Sequence, residues 1–267
     1  MKTLGFIGMG NMGQAMLSGC LKVFEPEELI FTALSEKECM AVKESTKVDY
    51  VMDALSCAAE VKFLVLAIKP QVYPEILEKL AGKIREDQIV ISIAPSYSID
   101  MVKEGLGENV RVVRAMPNTP AMVGEGMSGV CFSEDTYGEE ERQMVQDFFS
   151  SFGKMEIVPE NLINAVTVAS GSSPAFVYMF IEALADSAVK YGMPRDKAYT
   201  FAAQSVLGSA KMVLETGEHP GKTELLLLDV REELLREIDQ EHAAYTAREM
   251  EARQVAARIR QMTEPDR

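Results

Sequence analysis

A glycine pattern near the start of the chain constrains the fold more than any other stretch. An apolar run at residues 4–7 predicts a buried strand, a Gly-x-Gly-x-x-Gly turn follows at Gly8, Gly10 and Gly13, and a helical pattern opens at Gln14. Gly8 permits a tight turn, Gly10 allows a close backbone approach, and Gly13 lets the helix pack on its strand. Free amides at the start of that helix suit a pyrophosphate. The pattern predicts a dinucleotide site, and the alternative is a tight turn between strand and helix that binds nothing.

Strands alternate with amphipathic helices over the first 158 residues. The apolar run at residues 61–68 is nearly continuous, which is typical of a central parallel strand. Further strands are predicted at residues 28–32, 88–94, 110–115, 124–132 and 154–158, and helices at residues 14–21, 36–44 and 139–151. This alternation predicts a doubly wound α/β sheet.

The residues after the second strand distinguish NAD from NADP in sheets of this kind. No acid ends that strand, where a ribose 2′-hydroxyl would need one, and the chain continues with Ser35 and Lys37. These two side chains could hold a 2′-phosphate, which favours NADP(H) and leaves NAD(H) possible. Ser35 is equally expected to cap the helix at residues 36–44, and both roles can hold at once.

Two loops follow strands at the edge where ligands bind in open α/β sheets. The first is Lys69-Pro70-Gln71, in which Pro70 is expected to open the next helix. The second is Met-Pro-Asn-Thr-Pro at residues 116–120, whose two prolines make it rigid. Rigid loops at strand ends usually position a ligand, and the alternative is a plain connector.

The chain becomes helical after residue 158. Long apolar helices are predicted at residues 176–191 and 195–216, and the first is apolar on most sides, so we expect it to be buried on most sides. A small helical domain of this kind predicts an oligomer. Ahead of Pro174, Ser172 and Ser173 either cap the first helix or lie against the reactive end of the cofactor.

The net charge and the cysteines of the chain limit the classes of partner and the cellular compartment that we expect. The net charge of −14 argues against nucleic acid and anionic membranes as partners. We expect no uninterrupted apolar segment that spans a bilayer, and the start of the chain lacks the pattern of a signal peptide. The four cysteines lack metal-ligand spacing, so the sequence predicts no metal site and reduced thiols in a cytoplasmic protein.

Several separate motifs resemble, in order, the signatures of the pyrroline-5-carboxylate reductase family. They are Phe-Ile-Gly-Met-Gly-Asn-Met at 6–12, Ala-Ile-Lys-Pro-Gln at 67–71, Val-Arg-Ala-Met-Pro-Asn-Thr-Pro at 113–120, Ser-Gly-Ser-Ser-Pro-Ala at 170–175, Ala-Leu-Ala-Asp at 183–186 and Gly-Ser-Ala-Lys-Met at 208–212. The resemblance covers about residues 2–222. It implies a Rossmann-type doubly wound sheet followed by an all-helical C-terminal domain that dimerises by interlocking. It also implies NAD(P)H-dependent reduction of pyrroline-5-carboxylate, an anionic imine, to proline.

The resemblance also implies roles for individual residues. Asn118 and Thr119 are expected to orient the nicotinamide, Lys69 to stand by the cofactor, and Ser172 and Ser173 to face the imine. A protonated imine is already electrophilic, so no strong general acid is required. The residues expected at the cofactor are Gly8, Gly10, Asn11, Met12, Gly13, Ser35, Lys37, Ala67, Lys69, Pro70, Met116, Pro117 and Asn118. We expect a dinucleotide-binding domain at 1–158, a helical dimerisation and substrate domain at 159–222, and an atypical helical tail at 223–267.

The sequence departs from the family pattern at three places. Ala54 stands where the family tends to carry an Asn that touches the adenosine ribose, and Ala94-Pro95-Ser96 replaces the more frequent Ala-Ala-Gly. From residue 223 the family's Ser-Pro-Gly-Gly-Thr-Thr-like loop, which supplies donors to the substrate carboxylate, has no counterpart. Residues 223–267 contain 7 Arg but no Lys and no Gly, whereas residues 1–222 contain 15 Lys and all 18 Gly.

This change of composition is typical of a graft, an engineered fusion or a frame change. Apolar residues at helical spacing, among them Leu227, Val230, Leu234 and Ile238, predict a long tail helix, and the missing loop predicts weak or absent imine reduction. One alternative is a divergent natural member of the family. Another is an engineered or truncated reductase scaffold in which a helical fusion serves assembly rather than catalysis. A β-hydroxyacid reductase is disfavoured, because that group would carry a catalytic Lys within the segment at 172–181, which contains none.

Overall fold

The structure, a computed structural model, describes residues 1–222 of the chain. Its strands are β1 (Lys2–Ile7), β2 (Leu29–Thr32), β3 (Asp49–Tyr50), β4 (Val61–Leu66), β5 (Ile89–Ser92), β6 (Arg111–Met116), β7 (Gly126–Phe132) and β8 (Gly153–Ile157). Its helices are α1 (Asn11–Cys20), α2 (Glu36–Thr46), α3 (Ala54–Glu60), α4 (Tyr73–Leu80), α5 (Ile99–Leu106), α6 (Glu139–Ser150), α7 (Ile163–Val166), α8 (Ser173–Lys190) and α9 (Arg195–Thr216). Short 3₁₀ turns occupy Pro26–Glu28, Pro70–Val72, Thr119–Val123 and Glu160–Leu162.

The eight strands form one sheet in the order β3-β2-β1-β4-β5-β6-β7-β8. Neighbouring strands run parallel except for β6 and β7, which pair antiparallel with Met116 opposite Gly129. The strand order reverses between β1 and β4, which creates a switch point at their carboxyl ends. The predicted doubly wound α/β sheet is confirmed.

Two apolar cores cover the two faces of the sheet, because successive strand residues point to opposite sides. On one face Phe6 packs with Phe148 and Phe152 of the α6 region. On the other face Ile7 belongs to the core that contains Leu77 of α4. Helices on both faces bury most residues of the central strands β1, β4 and β5, as their nearly continuous apolar sequences predict.

The first residues of the helices are set by capping side chains, prolines and glycines more than by the periodicity of apolar residues. The Ser35 hydroxyl accepts a hydrogen bond from the Glu38 amide at 3.3 Å, so the predicted capping role of Ser35 is confirmed. Pro70 opens a 3₁₀ turn that leads into α4 rather than opening the α-helix itself. Helix α1 begins at Asn11, directly after the glycine turn, and not at Gln14 as predicted.

A helical run from Glu160 to Lys190 follows the sheet and contains a π turn at Thr167–Gly171. The expectation that Ser172 and Ser173 cap a new helix is wrong, because helix α7 and the π turn already precede them. By internal contacts the chain divides into two compact units, one covering Met1–Phe180 and one beginning at Ile181. In the second unit, Ala185 of α8 packs with Ala198 and Ala202 of α9.

Helix α8 is not buried on most sides in the single chain, contrary to the prediction. Within it only Ala185 is fully buried, whereas Phe176 is 68% exposed and Phe180 is 56% exposed. The apolar pattern was identified correctly, but the described residues 1–222 do not cover it. Such a contiguous exposed apolar surface is typical of a protein interface.

The same helical run has the length and composition of a membrane span, but Glu182 and Asp186 interrupt its apolar sequence, so the expectation of no uninterrupted apolar segment is not contradicted. Within the described residues one run, Glu160–Lys190, passes that test. The predicted helix in the tail at 223–267 lies outside the described residues.

Candidate functional site

The structure explains the presence of glycine at Gly8, Gly10 and Gly13 differently at each position. Gly8 has φ +102°, and a Cβ there would lie 2.6 Å from the Ala67 carbonyl oxygen. A Cβ on Gly13 would collide with the Gly8 carbonyl, so this glycine allows the helix to approach the turn. Gly10 has an ordinary φ of −69°, and a Cβ there would have no heavy atom within 4 Å among the described residues. Within the described residues, neither conformation nor packing requires glycine at position 10, and the turn borders open space there.

The start of α1 faces the same space with free donors. No side chain caps this helix, and within residues 1–222 the amides of Asn11, Met12 and Gly13 have no backbone acceptor. The loop is fixed from behind, because the Gln14 side chain donates to the Met9 carbonyl at 2.8 Å. Unpaired amides at a helix N-terminus attract an anion such as a pyrophosphate. The residues present therefore fit a dinucleotide.

A cleft of about 450 Å³ adjoins this turn at the switch point of the sheet. Its wall comes from the residues that follow β1, β2, β3 and β4 and from one side of α4, among them Gly8, Thr32, Leu34, Met52, Asp53, Ala54, Leu55, Ile68, Val72 and Ile76. The lining is largely apolar, which suits the flat ring of an adenine. Sequence reasoning missed Leu34, Met52 and Leu55, because β3 and α3 are too short to give a periodic signal.

Ala54, where the family tends to carry an Asn, begins helix α3 in the wall of the cleft. Asp53 caps that helix, since its carboxylate accepts hydrogen bonds from the Ser56 amide at 2.9 Å and the Ser56 hydroxyl at 2.6 Å. These bonds hold the pKa of Asp53 below its ordinary value. The carboxylate therefore stays charged and engaged with Ser56 near neutral pH.

Ser35 and Lys37 lie just beyond the end of β2, after cleft residues Ala33 and Leu34. Both side chains are exposed. Ser35 donates no hydrogen bond within the described residues, although its oxygen caps α2. Its hydroxyl proton therefore remains available to an additional acceptor beside the cleft.

The loop after β4 brings Ala67 against Gly8, while Lys69 is exposed and Pro70 is half-buried. Behind this loop the Tyr73 hydroxyl donates to the Leu66 carbonyl at 3.0 Å and lies 3.1 Å from the Ser92 hydroxyl. Burial raises the pKa of Tyr73 to about 12, so the hydroxyl stays protonated. Tyr73 thus links the carboxyl ends of β4 and β5, a contact that sequence reasoning missed.

Past β6, Met116, Pro117 and Asn118 are buried, and Thr119 is exposed. Thr119 begins the 3₁₀ turn Thr119–Val123, which packs against α1. The structure therefore brings the loop at 116–120 beside the helix of the glycine turn.

Asn118 is engaged with the protein itself. Its Nδ2 donates to the Ser170 carbonyl at 3.2 Å and lies 3.1 Å from the Ser170 hydroxyl oxygen, and its Oδ1 accepts from the Met127 amide at 2.9 Å. The side chain connects β6, β7 and the π turn. Ser172 is exposed and Ser173 is half-buried directly after that turn.

An ion pair anchors the start of the helical run beneath these residues. Arg114 donates to Glu160 at 2.8 Å and to the Pro95 carbonyl at 2.7 Å, and Glu160 also accepts from the Ile99 amide at 2.8 Å. The Arg114 side chain is only 9% exposed. Together these bonds join β6, the loop after β5 and the helical run at the carboxyl edge of the sheet.

The comparisons with known proteins agree with this geometry. A family model described as pyrroline-5-carboxylate reductase dimerisation matches residues 160–232, and one described as NADP oxidoreductase, coenzyme F420-dependent, matches residues 3–96. The first match continues past residue 222, where the resemblance was expected to stop.

Relatives and solved structures named for the same activity cover most of the chain. Pyrroline-5-carboxylate reductase of Escherichia coli (strain K12) is 41% identical over 82% of this chain and 82% of its own. The enzyme of that name from Methanosarcina acetivorans is 40% identical over the same shares. A crystal structure of Plasmodium falciparum pyrroline carboxylate reductase with NADP bound has a TM-score of 0.75 and 29% identity, and covers 83% of this chain and 82% of its own. The chain therefore belongs to the pyrroline-5-carboxylate reductase family.

Proposed function

We propose that this protein reduces 1-pyrroline-5-carboxylate to proline with NADPH or NADH as the hydride donor. The observation that carries the proposal is the pairing of the open space at Gly10 with the unpaired amides of α1, at the switch point of the sheet. A tight turn that binds nothing would not require glycine at position 10. Membership of the family supplies the substrate and the reaction.

The cofactor supplies a hydride to the imine carbon of the substrate. This chain's own residues have to bind and orient the two reactants, because a protonated imine needs no strong acid. The described residues contain no cluster of three or more His, Cys, Asp or Glu side chains able to hold a metal ion. We assign positioning and charge to the protein as its main contributions.

Each group of site residues has a distinct task in this proposal. The amides of Asn11, Met12 and Gly13 hold the pyrophosphate, and the apolar cleft holds the adenine. Lys69 stands by the cofactor at the end of β4, and Thr119 faces the nicotinamide. Ser172 and Ser173 offer hydroxyl donors to the anionic imine at the same edge of the sheet.

We also propose a homodimer as the assembly unit and the cytoplasm as the compartment. The exposed apolar face of α8 lies inside the segment matched by the dimerisation model, so a second copy is its natural cover. Cys20, Cys39, Cys57 and Cys131 are all buried free thiols, as expected in a reducing compartment.

The direct test is oxidation of NADPH followed at steady state with 1-pyrroline-5-carboxylate, with proline quantified as the product. Stoichiometric proline formation supports the proposal. Tight NADPH binding without any proline would favour the alternative of a scaffold that serves assembly. A β-hydroxyacid oxidised in place of the imine would overturn the substrate assignment.

A preference for NADPH over NADH should reside in Ser35 and Lys37. Changing Lys37 to Glu is expected to weaken NADPH binding by about 1–3 kcal/mol, the scale of a charged hydrogen bond left unmade, and to leave NADH binding nearly unchanged. Fluorescence titration of both cofactors measures this. Lys83→Glu is a control of equal charge change, since Lys83 is exposed and does not line the cleft. An NADH dissociation constant equal to or below that of NADPH in the unmodified protein would contradict the preference.

A further inference from the structure

The π turn of the helical run has an unusual bonding pattern. The Ser172 amide donates five residues back, to the Thr167 carbonyl, at 2.8 Å, and this defines the wider turn. Two residues later the chain carries Pro174, which has no amide proton. In an α-helix the amide at position 174 would donate to the Ser170 carbonyl. The sequence itself therefore removes the backbone amide that would have donated to the Ser170 carbonyl, in the last part of the π turn.

Asn118 supplies the missing donor from outside the helix. Its Nδ2 reaches the Ser170 carbonyl at 3.2 Å, and the Ser173 hydroxyl adds a longer bond to the same oxygen at 3.4 Å. Asn118 is only 8% exposed, and its Oδ1 is occupied by the Met127 amide. The Ser170 hydroxyl completes the link by donating to the Met127 carbonyl at 3.4 Å. Asn118 therefore bonds one residue of β7 and one residue of the π turn at once.

Two glycines allow the helical run around the π turn to pack closely against β6 and β7. A Cβ on Gly129 of β7 would lie 2.8 Å from the Val166 side chain, and a Cβ on Gly171 would collide with the Met116 side chain. These glycines seat the turn on the β6–β7 hairpin, and Asn118 fixes its rotation. Ser172 and Ser173 follow directly, at the carboxyl end of β6 where ligands bind in such sheets.

We propose that Asn118 is a positioning residue that holds the π turn open through Ser170, so that Ser172 and Ser173 are aimed at the substrate. This inference rests on the proposed reduction of pyrroline-5-carboxylate. It replaces the expectation that the Asn118 side chain orients the nicotinamide by direct contact. Pro174 lacks the amide proton that would donate to the Ser170 carbonyl, and the Nδ2 of Asn118 donates to that carbonyl instead. Turns of the π type often lie at functional sites.

Asn118→Asp is the first test, because it keeps the size of the side chain and its acceptor but removes both Nδ2 protons. We expect kcat/KM for pyrroline-5-carboxylate to fall about 10-fold to 100-fold, as a small misplacement of substrate groups does, while the NADPH dissociation constant changes less than about twofold. Hydrogen exchange at the Ser172 amide should accelerate in the variant. A parallel loss of NADPH affinity would instead indicate direct contact with the nicotinamide and overturn the proposal.

Gln88→Ala provides the matched control. Gln88 is also a buried amide, and its Nε2 donates to the Ala58 and Val61 carbonyls at 2.7 Å, but it precedes β5 at the opposite edge of the sheet. We expect a lower unfolding midpoint with unchanged KM and unchanged exchange at Ser172. If Gln88→Ala reduced kcat/KM as much as Asn118→Asp, the effect of Asn118 would be one of stability alone and the proposal would be wrong.

Pro174→Ala separates stability from positioning. The new amide at position 174 can donate to the Ser170 carbonyl and let the turn relax towards an α-helix, so the unfolding midpoint should stay equal or rise. The proposal requires kcat/KM to fall about 10-fold all the same, since the serines then rotate away. Full activity in both Pro174→Ala and Asn118→Asp would overturn it. If the unmodified protein makes no proline, the proposed reaction fails, whereas faster Ser172 exchange in Asn118→Asp would still support the role of Asn118 in the turn.

Discussion

Glycine is used at the ligand edge of the sheet for reasons that differ from residue to residue. Gly8 needs its positive φ, and Gly13 needs to lack a side chain because the turn is so close. Gly10 needs neither and borders open space. The residue type is the same at all three positions, yet the consequences of substitution should differ.

We predict that Gly10→Val loses cofactor binding without losing the fold. The branched side chain fits the protein itself but blocks the approach of a pyrophosphate, so NADPH affinity should fall by at least 10-fold, about 1.4 kcal/mol. The unfolding free energy should change by only about 1 kcal/mol, the scale of a helix cap. Fluorescence titration and urea unfolding measure the two effects. Gly8→Ala, at φ +102°, should instead destabilise the fold, and retained NADPH binding in Gly10→Val would refute the assignment of the turn.

Glu141 carries a stabilising charge at the start of α6. Its carboxylate accepts hydrogen bonds from Arg111 at 2.7 Å and from the Gly138 amide at 3.0 Å, and it lies 3.0 Å from the Lys62 ammonium. Burial acts to raise the pKa of Glu141, but these three groups outweigh it and hold the pKa below the ordinary 4.5. The folded state thus favours the charged form more than the unfolded state does.

We therefore predict that Glu141→Gln costs about 1–3 kcal/mol of unfolding free energy at neutral pH. Because the folded pKa is lowered, this stability is present above pH 4.5 and is lost as the pH falls through the folded pKa. Urea unfolding from about pH 7 to about pH 3 should show the two curves converging. Asp87→Asn, in an exposed pair with Arg85, should have little effect at any pH. A constant difference at all pH values would contradict the assignment to ionised Glu141.

Single-residue roles were predictable from the sequence where the partner is local. Ser35 caps the helix that starts at the next residue, and a serine directly before a helical pattern predicts such a cap. Asn118 could be flagged as important by its place in a proline-bounded loop after a strand. Its partner Ser170 is 52 residues away, so no local pattern could reveal that its amide is engaged.

At the scale of elements, the strands with strong apolar runs were predicted and the short ones were not. Strand β3 has two residues and α3 has seven, too few for a periodic signal. The direction of β7 was also beyond the sequence pattern, because a parallel and an antiparallel strand with both faces buried look alike. The apolar pattern of α8 was detected, but no surface within residues 1–222 covers most of it, which a local pattern cannot reveal.

We predict that Phe180→Asp converts the assembly into monomers. Phe180 is 56% exposed on α8 beside other exposed apolar residues, and a buried carboxylate without a partner would oppose association. Sedimentation velocity at micromolar protein should show a mass of one chain for the variant and two or more for the unmodified protein. Gln146→Asp, on the exposed side of α6, is the control and should leave the mass unchanged. A variant that stays associated would place the interface on another surface.

At the scale of the whole molecule, the family covers the sheet and the helical part, and the last segment differs. Sequence motifs identified the family and the fold class, because the first three motifs map to strand ends and the others to the helical part. The apolar cleft and the Asn118 link could not be read in this way, since their residues come from separate parts of the chain. Residues 223–267 have the composition that departs most from the rest.

We predict that this last segment limits turnover. The substrate is an anion and the chain has a net charge of −14, so its carboxylate needs local donors, and the loop that the family resemblance implies for that task is not recognised in residues 223–267. Losing a charged hydrogen bond costs about 1.5–3 kcal/mol, so several would lower kcat/KM by orders of magnitude. Replacing residues 223–267 by the corresponding end of the Escherichia coli relative should raise kcat/KM and leave the NADPH dissociation constant unchanged. Turnover that already matches that relative would show that this segment supplies the donors by another route.

The exposed face of α8 bears on how the folding stability of this protein depends on its concentration. If a second copy covers that face, part of the free energy that keeps each chain folded is contributed by a neighbour, and mass action makes it depend on concentration. Dilution would then act on this protein as a denaturant does on others, and a cell that made too little of it would lose more than a proportional share of its activity.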